Sequence, residues 1–306
     1  AVVLVGALAG IWLGGYGMSK LQFVHPAGEH VSVSLVQGNV DQATKWQRNM
    51  VNPILNRYTD LTRHEWGRDL IVWPEAAITL FRENAGSFLD DLGARARSEG
   101  TTVLLGIPDR DDAGNYQNTA IALGAGEGSY SKRRLVPFGE YVPMESVLRG
   151  TIQFFDLPMS RNRPGPDDQL PLFAGRHRLS LSICYEVVYP ELVRTTVDDP
   201  DLLVTISNDT WFGRSIGPEQ HLQMAQMRAL ENGRYMVRGT NNGITAVVDH
   251  KGLITARLPR FEQGVLRSEA KILEGKTPYS RWGSWPLLIL VFGLPGVLWL
   301  TGRRFR

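Results

Sequence analysis

The sequence predicts a layered α/β domain. Two observations carry that expectation. From Val31 to about Ile272, short apolar runs alternate with longer amphipathic ones, and each amphipathic run falls between apolar ones. Sheets covered by helices are the economical packing for such an order. A third observation bounds the domain: apolar segments stand near both ends of the chain, at 1–22 and 283–302.

Taken in order, Val31–Gln37 and Asp69–Trp73 are apolar strand candidates on either side of Thr44–Glu65, whose mixed pattern is that of a surface helix. Ala85–Ser98 repeats that helical pattern before the strands Thr101–Ile107 and Asn118–Leu123. Leu179–Cys184 and Leu202–Ser207 follow, then the helix Glu219–Asn232, then strands Tyr235–Thr240, Ile244–Asp249 and Val265–Ala270. Asp249-His250-Lys251-Gly252 has the composition of a hairpin turn and Asn241-Asn242-Gly243 that of a turn or bulge, so part of the sheet is expected to pair antiparallel. Phe155–Asp168, with Pro158, Pro164 and Pro166, is expected to be an irregular loop of the length used for lids. No internal repeat or low-complexity tract is visible.

A chain of 306 residues can bury a large core, and 43% hydrophobic with 21% charged residues is ordinary for a globular protein. The net charge of +2 gives no nucleic-acid footprint.

The two apolar ends read differently from the middle. Trp285–Leu300 carries no charge, and with Ser284 and Thr301-Gly302 its helical length approaches the ~30 Å hydrocarbon core. Trp282, Trp285 and Trp299 suit an interfacial aromatic belt, and Arg303, Arg304 and Arg306 follow as a stop. The terminal position and these arginines favour a membrane span over a buried core helix. Ala1–Met18 is also uncharged; with no initiator Met and no basic leader it is expected to be a transmembrane helix entered partway, rather than a signal peptide. The arginines mark the cytoplasmic side, which puts residues 30–275 on the opposite face, outside the inner membrane.

That compartment sharpens the question posed by the single cysteine, Cys184. A free Cys is often a small buried hydrophobe, but an unpaired thiol in an oxidising compartment is unusual unless the thiol is used. Cys184 ends an apolar strand, where α/β proteins expose their chemistry. Two other sites could serve it. Ile71-Val72-Trp73-Pro74-Glu75 presents Glu75 at a strand tip, either as a helix-capping carboxylate or as a general base. In Tyr130–Pro143, the basic triplet Lys132-Arg133-Arg134 is either a surface charge run or the start of a rigid loop, since Pro137-Phe138-Gly139 would hold Lys132 and Glu140 in place. Together the three make a coherent set. Glu75 takes the thiol proton, Lys132 lowers the thiol pKa and binds the oxyanion, and the Tyr185 backbone N–H is a second donor.

The order Trp73-Pro74-Glu75, then Tyr130-x-Lys132-x-x-Leu135-Val136-Pro137-Phe138-Gly139-Glu140-Tyr141, then Cys184-Tyr185-Glu186 resembles the nitrilase superfamily and its Glu-Lys-Cys triad. Gln37-Gly38-Asn39, Lys45-Trp46, Ser207-Asn208-Asp209-Thr210-Trp211-Phe212-Gly213 and the flanking apolar segments resemble one branch more closely, the apolipoprotein N-acyltransferases. The resemblance spans nearly the whole chain. It implies a nitrilase-like αββα sandwich flanked by transmembrane helices, with Cys184 as nucleophile, Glu75 as base and Lys132 as oxyanion stabiliser. Trp46, Glu140, Tyr185 and Glu186 match supporting or substrate-binding positions.

It also implies a phospholipid acyl donor, an apolipoprotein diacylglyceryl-cysteine as acceptor, the membrane bilayer as partner, and no cofactor or metal. Because the branch carries a bundle of membrane helices ahead of this domain, the chain is expected to be the carboxyl-terminal portion of a longer protein. A membrane-tethered amidase with the same triad and a non-catalytic anchored domain are the alternatives.

Other motifs carry less. Gly124-Ala125-Gly126-Glu127-Gly128 lacks dinucleotide-loop spacing, and Gly275-Lys276-Thr277 has Ala270 where a phosphate loop needs its first glycine. The six histidines show no paired metal spacing. His177, the histidine nearest Cys184 in sequence, starts the same expected strand, which argues against a direct pair.

Overall fold

The structure, a computed structural model, describes residues 2–18, 20–141 and 162–302. Twelve described strands form two six-stranded sheets. In the first, the order is β12 (Gly264–Gly275), β1 (Val24–Gln37), β2 (Leu70–Val72), β3 (Thr102–Arg110), β4 (Tyr116–Gly124) and β5 (Ser129–Ser131). In the second it is β6 (Leu172–Ala174), β7 (His177–Ile183), β8 (Leu202–Ser207), β9 (Met236–Thr240), β10 (Ala246–Val248) and β11 (Ile254–Arg257).

Both sheets repeat one pairing pattern. Three parallel strands, β1-β2-β3 and β7-β8-β9, are flanked by one antiparallel strand on one side and two on the other. The repeat is one of topology, which is why no repeat is visible in the residues.

Side-chain alternation sorts the layers. Val31, Val33, Leu35, Leu70 and Val72 of the first sheet share a core with Leu179, Leu181, Ile183, Leu202 and Val204 of the second. On the outer face of the first sheet, Ile71, Val103 and Leu105 pack under α3 (Val51–Thr62) and α4 (Gly86–Ser98) through Ile54, Tyr58, Leu89 and Leu92. On the outer face of the second, Leu203, Met236 and Ala246 pack under α5 (Pro190–Thr195) and α6 (Gly217–Asn232) through Val193, Leu222, Ala225 and Ala229. The αββα sandwich expected from the resemblance is the observed architecture.

Several boundaries differ for physical reasons. The expected helix 44–65 is broken into α2 (Gln42–Lys45), a 3₁₀ turn at Arg48–Met50, and α3. Pro53, in the first turn of α3, has no N–H to donate back to the preceding turn, so the α-helical bonding of α3 is not carried back into that 3₁₀ turn. Strand β1 begins seven residues before Val31 because its exposed first half is held by pairing with β12 rather than by burial. Helix α6 ends as expected, with Gly233 in the left-handed conformation donating to Ala229 and Leu230 carbonyls. The 249–252 turn joins the antiparallel β10 and β11.

The apolar ends are helical, α1 (Val2–Met18) and α8 (Trp285–Gly302), with the short α7 (Pro278–Trp282) before the latter. Ile11, Trp12, Leu13, Ile289 and Phe292 are all exposed. Among the described residues no helix is long and apolar enough to cross a membrane. The arginines at 303, 304 and 306 and the first part of the expected lid, 155–161, lie outside the described residues.

Candidate active site

Glu75 leaves the carboxyl end of β2 through Trp73-Pro74. The Trp73 N–H still donates to Leu104 O at 2.8 Å, and a turn then closes from Ala77 N–H to Pro74 O at 3.2 Å. Ala76 within it has φ 48°. This turn lies directly on β3: a Cβ built on Gly106 would stand 2.5 Å from Ala76 N and 2.7 Å from Glu75 Cα. Glu75 is buried, and its two carboxylate oxygens are held from different sides. Asn118 Nδ2 donates to Oε1 at 2.7 Å, and the backbone N–H of Asn208 donates to Oε2 at 2.7 Å.

Lys132 follows β5 and is fixed by its own N–H donating to Asn118 O at 2.8 Å. Its Nζ donates to Glu140 Oε1 at 2.9 Å and lies 3.4 Å from Glu75 Oε1. Burial alone would lower its pKa, but the two carboxylates outweigh that cost and hold it raised, so it is an ammonium. Glu140 completes the loop by accepting the Val136 N–H on Oε2 at 2.8 Å, with Phe138 at φ 62° between them. The Pro137-Phe138-Gly139 turn thus does hold Lys132 and Glu140 together.

Cys184 lies one residue beyond β7. It opens the 3₁₀ turn Cys184–Val188 instead of ending the strand, and its φ is 52°. A left-handed non-glycine residue costs about 1–2 kcal/mol, and such strain gathers at functional sites. Here Ala76, Phe138 and Cys184 each sit in or beside a segment carrying a candidate group.

Glu186 braces this turn. Its Oε2 accepts the Ile183 N–H at 2.8 Å, while Oε1 accepts the Arg133 N–H at 2.6 Å, the Arg134 N–H at 3.0 Å and the Tyr130 hydroxyl at 3.0 Å. One buried carboxylate therefore ties the Lys132 loop to the Cys184 turn. Tyr185 is half-buried, its ring edge-on to Tyr189 at 5.4 Å.

Burial pushes the Cys184 thiol up, and the Glu75 charge pushes it further; Lys132 pulls it down without overcoming either. The expectation that Lys132 lowers the thiol pKa holds for its own contribution and fails for the net result. On balance the thiol's affinity for its proton is raised, with the Glu75 carboxylate and the Lys132 ammonium as the two charges that act on it most.

Around this centre stand residues to which sequence reasoning assigned no role. Asn118 and the Asn208 N–H position Glu75. Lys45 is fully buried, its Nζ 3.4 Å from Glu75 O, and burial lowers its pKa to about 8. Beside it, Trp46 is 40% exposed, with Lys45 Nζ 5.9 Å from its ring centroid. Asn208 Nδ2 donates to Gln42 Oε1 at 2.8 Å, tying α2 and Trp46 to the end of β8. Beneath Cys184 lies a buried set, Asp209, His221 and Arg238. Lys45, Asn208 and Asp209 stood inside quoted motifs; nothing in the residue order pointed to Asn118, His221 or Arg238.

His177 sits at the far end of β7, its Nδ1 3.9 Å from Asp201. Two clefts of about 410 Å³ share Glu29, Arg176 and His177 at that end, away from Cys184. Among the described residues no group of His, Cys, Asp and Glu side chains converges on a cation site.

The carbon-nitrogen hydrolase family model matches residues 32–273. A Pseudomonas syringae pv. tomato protein named apolipoprotein N-acyltransferase is 46% identical over 95% of this chain and 58% of its own length. An Azotobacter vinelandii protein of the same name is 48% identical over 98% of this chain and 60% of its own. The chain thus spans about three-fifths of the curated relatives it matches.

Among solved structures, Saccharomyces cerevisiae Nit3, a member of the nitrilase superfamily, superposes with a TM-score of 0.59 at 16% identity, covering 82% of this chain and 92% of that one. An amidase of the same superfamily from Nesterenkonia sp. AN1 gives 0.57 at 21% identity, covering 81% and 92%. At these identities the likeness is one of fold.

Proposed function

The chain belongs to the carbon-nitrogen hydrolase family, and from that premise we propose that it transfers an acyl chain by way of a Cys184 thioester, as an apolipoprotein N-acyltransferase. In the first half-reaction, Sγ attacks the ester carbonyl of a membrane phospholipid while Glu75 takes the thiol proton. The C=O becomes an oxyanion received by the Lys132 ammonium and the Tyr185 N–H. Collapse breaks the ester C–O bond, and Glu75 returns the proton to the departing lysophospholipid. In the second, the α-amine of a diacylglyceryl-cysteine attacks the thioester, the C–S bond breaks, and the amide leaves as the amine's proton restores the thiol.

The observation that carries this proposal is the approach of Lys132 Nζ to Glu75 Oε1 at 3.4 Å beside the strained Cys184 turn. A nucleophile, a base and a cationic oxyanion donor meet where the ends of both sheets converge. Glu140 orients Lys132, Glu186 joins the two loops, and Trp46 and Tyr185 line the approach for acyl chain and acceptor. The names of the relatives, at 46–48% identity, support the choice of acyl transfer over hydrolysis. Residues 30–275 form the catalytic domain in this proposal. The exposed apolar side chains of α1 and α8 require apolar surroundings, and in this proposal the segments 1–22 and 283–302 that contain them associate with the membrane, with the site on its periplasmic face.

The test is intact-mass analysis of the detergent-solubilised protein after incubation with phospholipid. An acyl increment absent from Cys184→Ala and discharged by a diacylglyceryl-cysteine lipopeptide is the expected result. Discharge by water at the same rate would make the protein an amidase-type hydrolase, and no increment would overturn covalent catalysis altogether.

A further inference from the structure

The Cys184 carbonyl has a dedicated partner deep in the domain. His221, near the start of α6, places Nε2 3.0 Å from Cys184 O. A carbonyl oxygen only accepts, so Nε2 carries a proton in whichever charge state the ring adopts. On the other side, His221 Nδ1 lies 3.1 Å from Asp209 Oδ1 and 3.1 Å from Arg238 Nη2. Arg238 Nη2 donates to Asp209 Oδ2 at 2.7 Å, and Ser207 Oγ donates to Asp209 Oδ1 at 2.5 Å. The side chains of Asp209 and Arg238 are fully buried, and that of His221 is 5% exposed. Packing leaves no slack, because a Cβ on Gly243 would run into the Asp209 carboxylate.

This arrangement is more than a buried ion pair. Arg238 and Asp209 would neutralise each other without the histidine, yet the imidazole is interposed so that its far nitrogen reaches the nucleophile's own peptide group. In a trans peptide the C=O of one residue and the N–H of the next point in opposite directions. Gripping the Cys184 carbonyl therefore fixes where the Tyr185 N–H aims, and a polarised carbonyl makes that N–H a stronger donor. The peptide belongs to a residue at φ 52°, which local sterics do not favour, so an external restraint is required to keep its plane.

We propose that His221 is a positioning residue for the oxyanion site: held by Asp209 and Arg238, it locks the Cys184–Tyr185 peptide so that the Tyr185 N–H faces the developing oxyanion. This rests on acyl transfer through Cys184, and the test separates the two. The probe is a p-nitrophenyl acyl ester, whose release of p-nitrophenolate reports acylation without demanding a lipid surface. Iodoacetamide alkylation of Cys184 runs beside it, because alkylation forms no oxyanion.

His221→Leu leaves the Asp209–Arg238 pair intact and removes the donor; His221→Gln keeps an N–H near the Nε2 position. In His221→Leu, kcat for the ester falls about 10- to 100-fold, short of the loss from deleting an oxyanion donor outright. KM and the alkylation rate stay within about threefold of the parent, and His221→Gln recovers most of kcat. Equal losses in acylation and alkylation, or no rescue by Gln, would overturn the proposal, since His221 would then serve the thiol or the fold. If the unmutated protein alkylates but never releases p-nitrophenolate, the acyl-transfer premise fails first and the inference falls with it.

Discussion

The backbone N–H of Asn208 donates to Glu75 Oε2 at 2.7 Å, joining the carboxyl ends of β8 and β2, strands of different sheets. Neither sheet alone holds a complete site. The first supplies Glu75, Lys132 and Glu140; the second supplies Cys184, Tyr185 and the Asn208 amide. Glu186 makes a second such link by accepting donors from both Ile183 and the Arg133-Arg134 backbone. The spacing between Glu75 and Cys184, the proposed base and nucleophile, is therefore set by how the two sheets pack, which gives ordinary core residues leverage over the proposed chemistry.

Glu75→Gln separates two consequences of the same carboxylate. Loss of the base lowers acyl-enzyme formation by about 10²- to 10⁴-fold. Loss of its charge removes one of the influences that push the Cys184 thiol up, so alkylation by iodoacetamide at neutral pH becomes faster. Rates of acylation and alkylation moving in opposite directions are the expected outcome in stopped-time mass spectra. If both fall together, Glu75 is a structural carboxylate.

Lys132→Met takes the buried cation from between the Glu75 and Glu140 carboxylates and leaves both without their shared counter-ion. Acyl-enzyme formation falls by about 10²- to 10³-fold, the scale of a lost oxyanion donor. The unfolding midpoint drops as well, because breaking a buried pair costs about 3–5 kcal/mol. A folded variant that acylates at the parental rate would remove Lys132 from the mechanism.

Much of this centre was legible in the residue order, for a physical reason. Glu75 and Cys184 each follow an apolar run that must be a buried strand, and Lys132 and Glu140 bracket a turn made rigid by Pro137 and Gly139. Chemistry placed by local punctuation can be read locally. The Asn208 amide cannot, since a backbone N–H has no residue signature, and His221 reaches Cys184 only through the packing of α6 on the second sheet. Strands β5, β6 and β11, three or four residues long at sheet edges, lack the length for a periodic signal. The first half of β1 is exposed and lacks the apolar pattern that burial imprints.

Asp209 makes stability depend on acid in a predictable direction. Burial pushes its carboxyl up, but the Arg238 charge with hydrogen bonds from His221 and Ser207 holds it well below the usual carboxylate range. A folded-state pKa below the unfolded value contributes stability that is full above ~4 and is lost as pH falls toward the folded value. Asp209→Asn should therefore be about 3–5 kcal/mol less stable than the parent at pH 7, as expected for breaking a buried pair. In denaturant titrations that gap narrows as the pH is taken below ~4. A gap constant across the range would trace the loss to packing instead of charge.

Gly106→Ala tests whether the base is placed by the sheet beneath it, since it removes no functional group. The added methyl would meet Ala76 N at 2.5 Å and Glu75 Cα and Pro74 O at 2.7 Å, all backbone or Cα atoms of the 74–77 turn. Backbone cannot swing aside as a flexible side chain does, so either β3 or the turn must shift, at an expected cost of about 1–3 kcal/mol. A displacement of about 1 Å at Glu75 is enough to lower acylation by roughly 10²-fold. Cys184 stays where it is, because its turn belongs to the other sheet, and iodoacetamide should therefore still alkylate it. The expected result is a folded protein with an accessible thiol and little acyl-enzyme. Full acylation in a folded Gly106→Ala protein would show that Glu75 reaches Cys184 without the help of this contact.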